Sequence, residues 1–451
     1  MNLIKEIKRV IGIPLNYYKN NNNFKSLTTN IIWLLFDSFF RLGTTAILFI
    51  FLARYLGPKD FGIFNYSLAY ISLFGIIASL GLDSIVVREL VNQPEKKSII
   101  LGSSFLIKLI FGIIAMFLSI SFIFILNSGD QDYNTRVLIV ILSIGLIFRP
   151  FEVIDYFFLS EVSSKYSIIG KNISTIISNG LKLYIVFTSK SLIALGLITT
   201  IEFALIGISL IIAFKFQSER ITKWKYDGII AKKLIKDSWP LVLASFGGIL
   251  YSRTDQVIIG KMMNDYSVGI YSAAVRISEI WYFVPTIIIQ AMLPAIVQTK
   301  KYDERTYTNR MSLIYELMII LSIVACLIIT LSSDSIILFL FGKEFIQASP
   351  ILTINVWCGI FVALGVSSSA YLVAENFPII SFLRTIVAGI VNVILNIIFI
   401  PFWGVKGSAI ASLIAFSLTI IILIFPKQTR EHGILIINSF QFRQIIFYIR
   451  H

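Results

Sequence analysis

Apolar runs of eighteen or more residues recur along this chain from residue 28 almost to its end, separated by short polar stretches. As helices, such runs are long enough to cross a hydrocarbon layer about 30 Å thick. The pattern predicts spans at 28–52, 61–82, 98–126, 136–158, 167–187 and 192–215. After a polar stretch it predicts 237–262, 268–297, 311–332, 347–374, 378–400 and 405–425. The fold class is therefore all-α, a polytopic integral membrane protein of about twelve transmembrane helices. Around 332–349, "SIILFLFG" is too short to span and is expected at the surface.

One polar hinge interrupts the first pair of spans, in "FLARYLGPKDFGIFNYSLAYI" (51–71), and an echo of it follows in "IIGKMMNDYSVGIYSAAVRI" (258–277). Gly62-Ile63-Phe64 aligns with Gly269-Ile270-Tyr271 at an offset of 207. Lys171 and Asn179 align with Arg384 and Asn392 at 213, and Gly196 with Gly407 at 211. The shared order predicts a duplicated six-helix unit, and an even helix number makes the repeats parallel. The domain reading is a basic N-terminus at 1–27, a six-helix lobe at 28–215, a basic linker at 216–236, a second lobe at 237–425 and an interfacial tail at 426–451. Gly57 and Asn264 are the residues expected to take a left-handed turn in each hinge. The start "LIKEIKRVIGIPL" and the tail "HGILIINSFQFRQIIFYIRH" both read as interfacial helices. No short apolar core with a small-residue cleavage site opens the chain, so no cleaved signal peptide is expected.

Composition agrees: 57% of residues are hydrophobic and 14% charged, with a mean hydropathy of +0.84. The net charge of +14 could suggest a nucleic-acid partner. Its distribution argues otherwise. With the N-terminus cytoplasmic, about 26 Lys and Arg fall on the cytoplasmic side and about 7 on the other, which is the positive-inside pattern. Both termini are then cytoplasmic. Cys326 and Cys358 fall within spans and read as core packing.

Thirteen ionisable residues lie inside the predicted spans: Asp37, Arg41, Lys108, Arg149, Glu152, Asp155, Lys182, Glu202, Arg253, Asp255, Arg276, Glu279 and Glu316. At roughly 3 kcal/mol each, lipid exposure of all of them would approach ~40 kcal/mol. Most must therefore face one another or water. Asp37 and Arg41 can bridge at i, i+4. Arg149, Glu152 and Asp155 succeed one another at i, i+3 beside Pro150, and Arg276–Glu279 repeats that spacing. Lys182 and Glu202 can reach the interface or a neighbouring helix. Lys108 and Arg253 have no partner on their own helices. Arg41, Arg149, Arg253, Arg276 and Lys108, spread over several helices, suit capture of a diffuse anion such as a diphosphate, because Arg offers bidentate bonds to phosphate oxygens. No catalytic constellation appears: His432 and His451 are the only histidines, and there is no Walker loop, metal spacing or nucleophile elbow. The reading is a non-enzyme without cofactor.

"LARYLGPKDFGIFNYSLAY" and the following "GLDSIVVREL" (81–90) resemble the opening of the Wzx-type polysaccharide-biosynthesis flippases. These belong to the MOP exporter superfamily, which also holds the MATE drug exporters and the lipid II flippases. The resemblance continues through "SWPLVLASFGGILYSRTDQVIIGKM", "LFGKEFIQASPIL" and "IPFWGVKGSAIASLIAF". It implies a two-lobed bundle that alternates between inward- and outward-open states in the bacterial inner membrane. The implied cargo is undecaprenyl-diphosphate-linked oligosaccharide, moved to the periplasmic leaflet. Membrane lipids and proteins of a glycan polymerase or export complex are the other implied partners, and nucleic acid is not one. The family's cationic cavity maps onto Arg41, Arg149, Arg253 and Arg276. Asp37, Glu152, Asp255 and Glu279 are candidates for coupling to H+ or Na+, or for internal bridges. Arg54 and Lys261, one before each hinge, are placed at the outer vestibule.

Three rival readings stay open. A MATE-like cation/drug antiporter would favour an acidic cavity; six intramembrane cations speak against it and seven acids keep it open. A lipid II flippase carries two extra helices that are not found here. A membrane scaffold without transport would tolerate neutralisation of Arg253 or Arg41.

Overall fold

The computed structural model describes residues 22–126, 133–217, 219–300, 304–375 and 377–445. The expected N-terminal interfacial helix lies outside these. The described chain is helical, with elements α1 (Asn22–Ser79), α2 (Asp83–Asn92), α3 (Lys97–Leu126), α4 (Tyr133–Ile144), α5 (Glu152–Ser160), α6 (Lys165–Thr188), α7 (Leu192–Phe216) and α8 (Gly228–Met262). They are followed by α9 (Asp265–Lys300), α10 (Glu304–Leu331), α11 (Ser333–Leu340), α12 (Ser349–Asn355), α13 (Cys358–Ala374), α14 (Pro378–Trp403), α15 (Val405–Ile421) and α16 (Arg430–Asn438). Among the described residues eight helices are long and apolar enough to cross a membrane, or nine with the pair Lys343–Asn355 and Cys358–Leu372, bent by 47°. The first of the eight runs through Gly57 and carries two expected spans. α6 and α8 occupy two more but are too polar to count by composition. The twelve expected spans fit this set, and the surface segment is the short helix α11.

The chain divides into two compact units, Asn21–Ile270 and Tyr271–His451. In the first, a core of Leu82, Val86, Leu101, Val153, Phe158 and Phe214 lies where α2, α3, α5 and α7 converge. Ala231 and Leu234 of α8 are buried in the same cluster. α8 thus begins well before the expected span at 237, because Asp227 caps it: its carboxylate accepts from the amides of Ile229 and Ile230 at 2.8 and 3.0 Å.

The two hinges meet inside this unit. α1 breaks at Gly57, whose φ of 73° and ψ of 170° are not helical. The second hinge works differently from the expectation: Asn264 is not among the described residues of positive φ. Its side chain instead caps α9, accepting from Ser267 N at 2.9 Å, so the turn is made by capping and needs no left-handed residue. A Cβ added at Gly62 would lie 1.7 Å from the carbonyl oxygen of Asp265, and one at Gly269 would lie 1.9 Å from that of Pro58. Pro58 and Asp265 are themselves 207 apart, as Gly62 and Gly269 are, so the contact is reciprocal. Each turn supplies the glycine into which the other turn's backbone fits. That is the physical use of building the motif twice.

The offset of 213 also has a structural counterpart, one instance in each unit. Lys171 Nζ donates to Asp155 Oδ2, sixteen positions earlier, at 2.7 Å. Arg384 Nη1 donates to Ser368 Oγ, again sixteen earlier, at 2.6 Å.

In the second unit the tail segment is docked on the helices. Glu316 is buried because its carboxylate accepts from the amides of Gln444 and Ile445, at 3.0 and 2.7 Å. His432 stacks on Tyr371 at 3.3 Å between ring centroids and shares a 2.5 Å hydrogen bond with Tyr315. Cys326 and Cys358 are buried free thiols, and Cys326 Sγ donates to the carbonyl of Val356 at 3.1 Å. Burial, and secondarily the Arg384 guanidinium, hold the His432 imidazole neutral, its pKa pushed down from 6.5 to about 3.

Two predictions follow from this packing. Gly62→Ala and Gly269→Ala should each cost about 1–3 kcal/mol of stability, read as a lowered unfolding temperature of the purified protein. Gly43→Ala, where an added Cβ meets nothing within 4 Å, should not. For His432 the unfolded chain gains a proton near pH 6.5 that the folded chain refuses until about 3. Its stabilisation is complete above pH 6.5 and is lost as the pH falls toward 3. The drop in unfolding temperature between pH 7.5 and pH 5 (chosen test values, about one unit either side of the free imidazole) should be smaller in His432→Phe than in wild type.

Candidate functional site

Most of the intramembrane charges predicted from the sequence lie in the first unit, and several converge on α3 and α5. Pro150 cannot donate a helical hydrogen bond, and the chain tightens into a 3-10 segment, Gly145–Phe151, between α4 and α5. This change of pitch directs Arg149 toward α1 and Glu152 toward α3. Lys108 of α3 is fully buried, with 0% of its side chain exposed. Its Nζ donates to Glu152 Oε2 at 2.7 Å and to Tyr156 Oη at 2.8 Å, and lies 4.9 Å from the centre of the Tyr156 ring. Tyr156 Oη in turn donates to Asp83 Oδ1 at 3.0 Å. One turn on from Glu152, Asp155 receives Lys171 of α6.

The pairing differs from the expectation of bridges within one helix. Glu152 and Asp155 make their ion pairs with cations from α3 and α6 rather than with Arg149. Lys108, without a partner on its own helix, finds one on α5. Lys182 and Glu202 pair with each other across α6 and α7 at 2.5 Å, with Ser178 Oγ donating to the same carboxylate at 2.9 Å.

Accessibility separates the members of the cluster. Lys108 is sealed, whereas Glu152 keeps 38% of its side chain accessible. The acid of this pair can be reached and the base cannot. Arg149 is half-buried, its Nη1 3.5 Å from the carbonyl of Gly75, a marginal hydrogen-bond distance. Its Nε is buried with no hydrogen-bond partner among the described residues. A Cβ at Gly75 would sit 3.3 Å from Arg149 Nη2, so the missing side chain lets the guanidinium lie flat against α1.

The other predicted residues are not joined to this cluster by any hydrogen bond or ion pair described above. Arg41 is 51% exposed and stands 4.0 Å from Asp37, at the outer limit of an ion pair. Arg253 is half-buried and Asp255 buried, both on α8. Arg54 and Lys261 are exposed beside their hinges. Arg276 and Glu279 pair at 3.3 Å in the second unit. Sequence reasoning missed Tyr156 and Asp83 as members of the cluster. No spacing announces a tyrosine that links two helices, although Asp83 lies within the distinctive "GLDSIVVREL".

The sequence profile of the family described as "Polysaccharide biosynthesis protein" matches residues 27–300. The probable low-salt glycan biosynthesis flippase Agl15 of Haloferax volcanii is 25% identical over 402 residues, 88% of this chain and 82% of that one. The capsular polysaccharide biosynthesis protein CapF of Staphylococcus aureus is 22% identical over 371 residues, covering 81% and 90%. Among solved structures, the lipid II flippase MurJ in an inward closed conformation superposes with a TM-score of 0.68 at 18% identity, covering 94% of this chain and 93% of that one. At that identity the likeness speaks for the fold.

The cluster yields a stability test. Lys108→Met leaves Glu152 without its sealed partner and should cost about 3 kcal/mol or more. Lys108→Met/Glu152→Gln should recover much of that loss in thermal unfolding. Equal losses in the single and double variants would show that the pair is not coupled.

Proposed function

The chain belongs to the polysaccharide biosynthesis protein family, and from that membership we propose that it is a flippase for lipid-linked oligosaccharide. The cargo is an undecaprenyl-diphosphate-linked O-antigen or capsule repeat unit, moved from the cytoplasmic to the periplasmic leaflet by alternating access. The protein is a transporter and not an enzyme. The observation that carries the reading is the set of relatives aligned along most of the chain, one named a glycan biosynthesis flippase and one a capsular polysaccharide protein.

The diphosphate is assigned first to Arg149, whose half-buried guanidinium lies against Gly75 of α1. Arg41 and Arg253 of the same unit are assigned to the same role, and Arg276 is the corresponding candidate of the second unit. Lys108 acts as a fixed counter-charge that holds Glu152 in place, and Glu152, reachable beside it, is the assigned site of H+ or Na+ coupling. Asp37, Asp255 and Glu279 are the further acids in that role. Each elementary charge crossing the membrane is worth about 2.3 kcal/mol per 100 mV. A doubly charged diphosphate leaving a negative interior gains roughly twice that, so the membrane potential favours export. The reciprocal contact of Gly62 and Gly269 lies on the outer side in the positive-inside topology, with Arg54 and Lys261 beside it. It is assigned as one closure of the outer vestibule. The location is the bacterial inner membrane with both termini cytoplasmic, and glycan-polymerising or export proteins are the assigned downstream partners.

The test is depletion in the native cell, with outer-leaflet oligosaccharide read by a membrane-impermeant glycan label. Wild type should restore labelling. Arg149→Ala, losing a charge-assisted contact worth roughly 2 kcal/mol, should reduce the rate by about tenfold or more at normal protein levels. Labelling unchanged by depletion, with no duplicate gene in the cell, would remove the flippase reading.

A further inference from the structure

The stretch from Lys215 to Trp239 joins α7 to the apolar part of α8 and carries seven cations against three acids. Folding engages all three acids. Glu219 accepts from Lys97 Nζ at 2.5 Å and Asp237 from Arg88 Nη2 at 2.6 Å. Asp227 is the cap of α8. Among the cations Lys233 reaches back to Glu89, at 2.6 Å. That carboxylate sits on the buried face of α2 and also receives Arg88 and Gln93. Lys215, Arg220, Lys223, Lys225, Lys232 and Lys236 remain exposed. The surface is strongly positive because its negative groups are taken up by ion pairs and a helix cap.

Large apolar side chains share this surface. Phe216, Tyr226, Ile229 and Trp239 are exposed by 80, 60, 82 and 58%. At the start of α8, Ala231, Leu234 and Ser238 form the buried side. Ile229, Lys232, Lys236 and Trp239 follow one another at i, i+3, i+7 and i+10 on the opposite stripe, with the lysines between the apolar residues. The middle of the segment is held against α3 and α7 by direct contacts. Lys225 N donates to the carbonyl of Ser98 at 3.2 Å, Ser98 Oγ to that of Lys223 at 2.5 Å, and Trp224 packs on Phe105 and Phe214. It begins where the apolar span α7 ends, at Phe216, and therefore lies at the membrane surface. At that depth aromatic rings settle among headgroups, and Lys and Arg are drawn to acidic lipids.

We propose that the described residues 215–217 and 219–239 form a docking surface for the headgroups of acidic phospholipids of the surrounding bilayer. Bound lipid anchors the base of α8, the helix that Arg88–Asp237 and Glu89–Lys233 tie to α2. The proposal requires only that the chain spans a membrane and is independent of what it carries.

The test uses the purified full-length protein in detergent, with native mass spectrometry counting retained phosphatidylglycerol against phosphatidylcholine. Wild type should prefer phosphatidylglycerol. Lys223→Gln/Lys225→Gln/Lys232→Gln/Lys236→Gln should lower that preference by about tenfold or more. Lys232→Gln/Lys236→Gln, which breaks none of the contacts described above, should move it in the same direction and guards against misfolding of the larger variant. Exposed cations of the opposite side, replaced in Lys59→Gln/Lys190→Gln/Lys406→Gln, should leave it unchanged. An undiminished preference in the fourfold variant would overturn the proposal. So would displacement of the lipid from wild type by inorganic phosphate at constant ionic strength, since the surface would then be a general anion site.

Discussion

An ammonium group with no exposed surface, deep in a helical bundle, constrains everything near it. Lys108 cannot remain charged there unless acceptors come to it, and they come from a different helix. The Pro150 break sets the pitch that brings Glu152 and Tyr156 within reach, and Tyr156 passes the connection to Asp83 at the start of α2. One buried cation therefore ties the middle of α3 to α5 and to the connection after α1. The same requirement recurs wherever this chain buries charge. Glu316 is answered by backbone amides of the tail, Lys182 by Glu202, and Glu89 by cations of α2 and α8. Apolar surface gives the helices their lengths, and these polar contacts select which helices become neighbours.

Much of the helix list was legible because a lipid-spanning helix must be apolar over a fixed length, and runs of that length stand out. The hinge pair was legible too, since Gly62 and Gly269 recur in matching surroundings. The individual ion pairs were not. Sequence spacing reports only neighbours on one helix, so Arg149, Glu152 and Asp155 suggested a ladder along α5. The partners Lys108 and Lys171 arrive from α3 and α6, at separations of 44 and 16 residues that no periodicity encodes. Asn264 was misread for a similar reason. Its composition fits a left-handed turn, but a side chain that can cap the next helix removes the need for one. The start of α8 was hidden because its first turns are rich in lysine, which resembles a linker until Asp227 is seen as a cap.

The pair of Lys108 and Glu152 also links several helices through one contact. A sealed base beside a partly accessible acid is asymmetric: one half of the contact can meet water and the other half cannot. Any change in the charge of Glu152 is therefore felt by Lys108, by Tyr156 and, through the tyrosine, by Asp83. In this way a local event at one carboxylate is coupled to helix packing without a long-range conformational argument.

The crossing of the two hinges has a consequence for how such a chain could arise. Because Gly62 receives the backbone of Asp265 while Gly269 receives that of Pro58, the contact is isologous in form, though made within one polypeptide. A surface of this kind is self-complementary. Two copies of a half-length ancestor would already present both sides of it, related by a two-fold axis, before any fusion joined them. Since the contact is made by backbone and by the absence of side chains, the two halves could then diverge at nearly every other position without losing their fit.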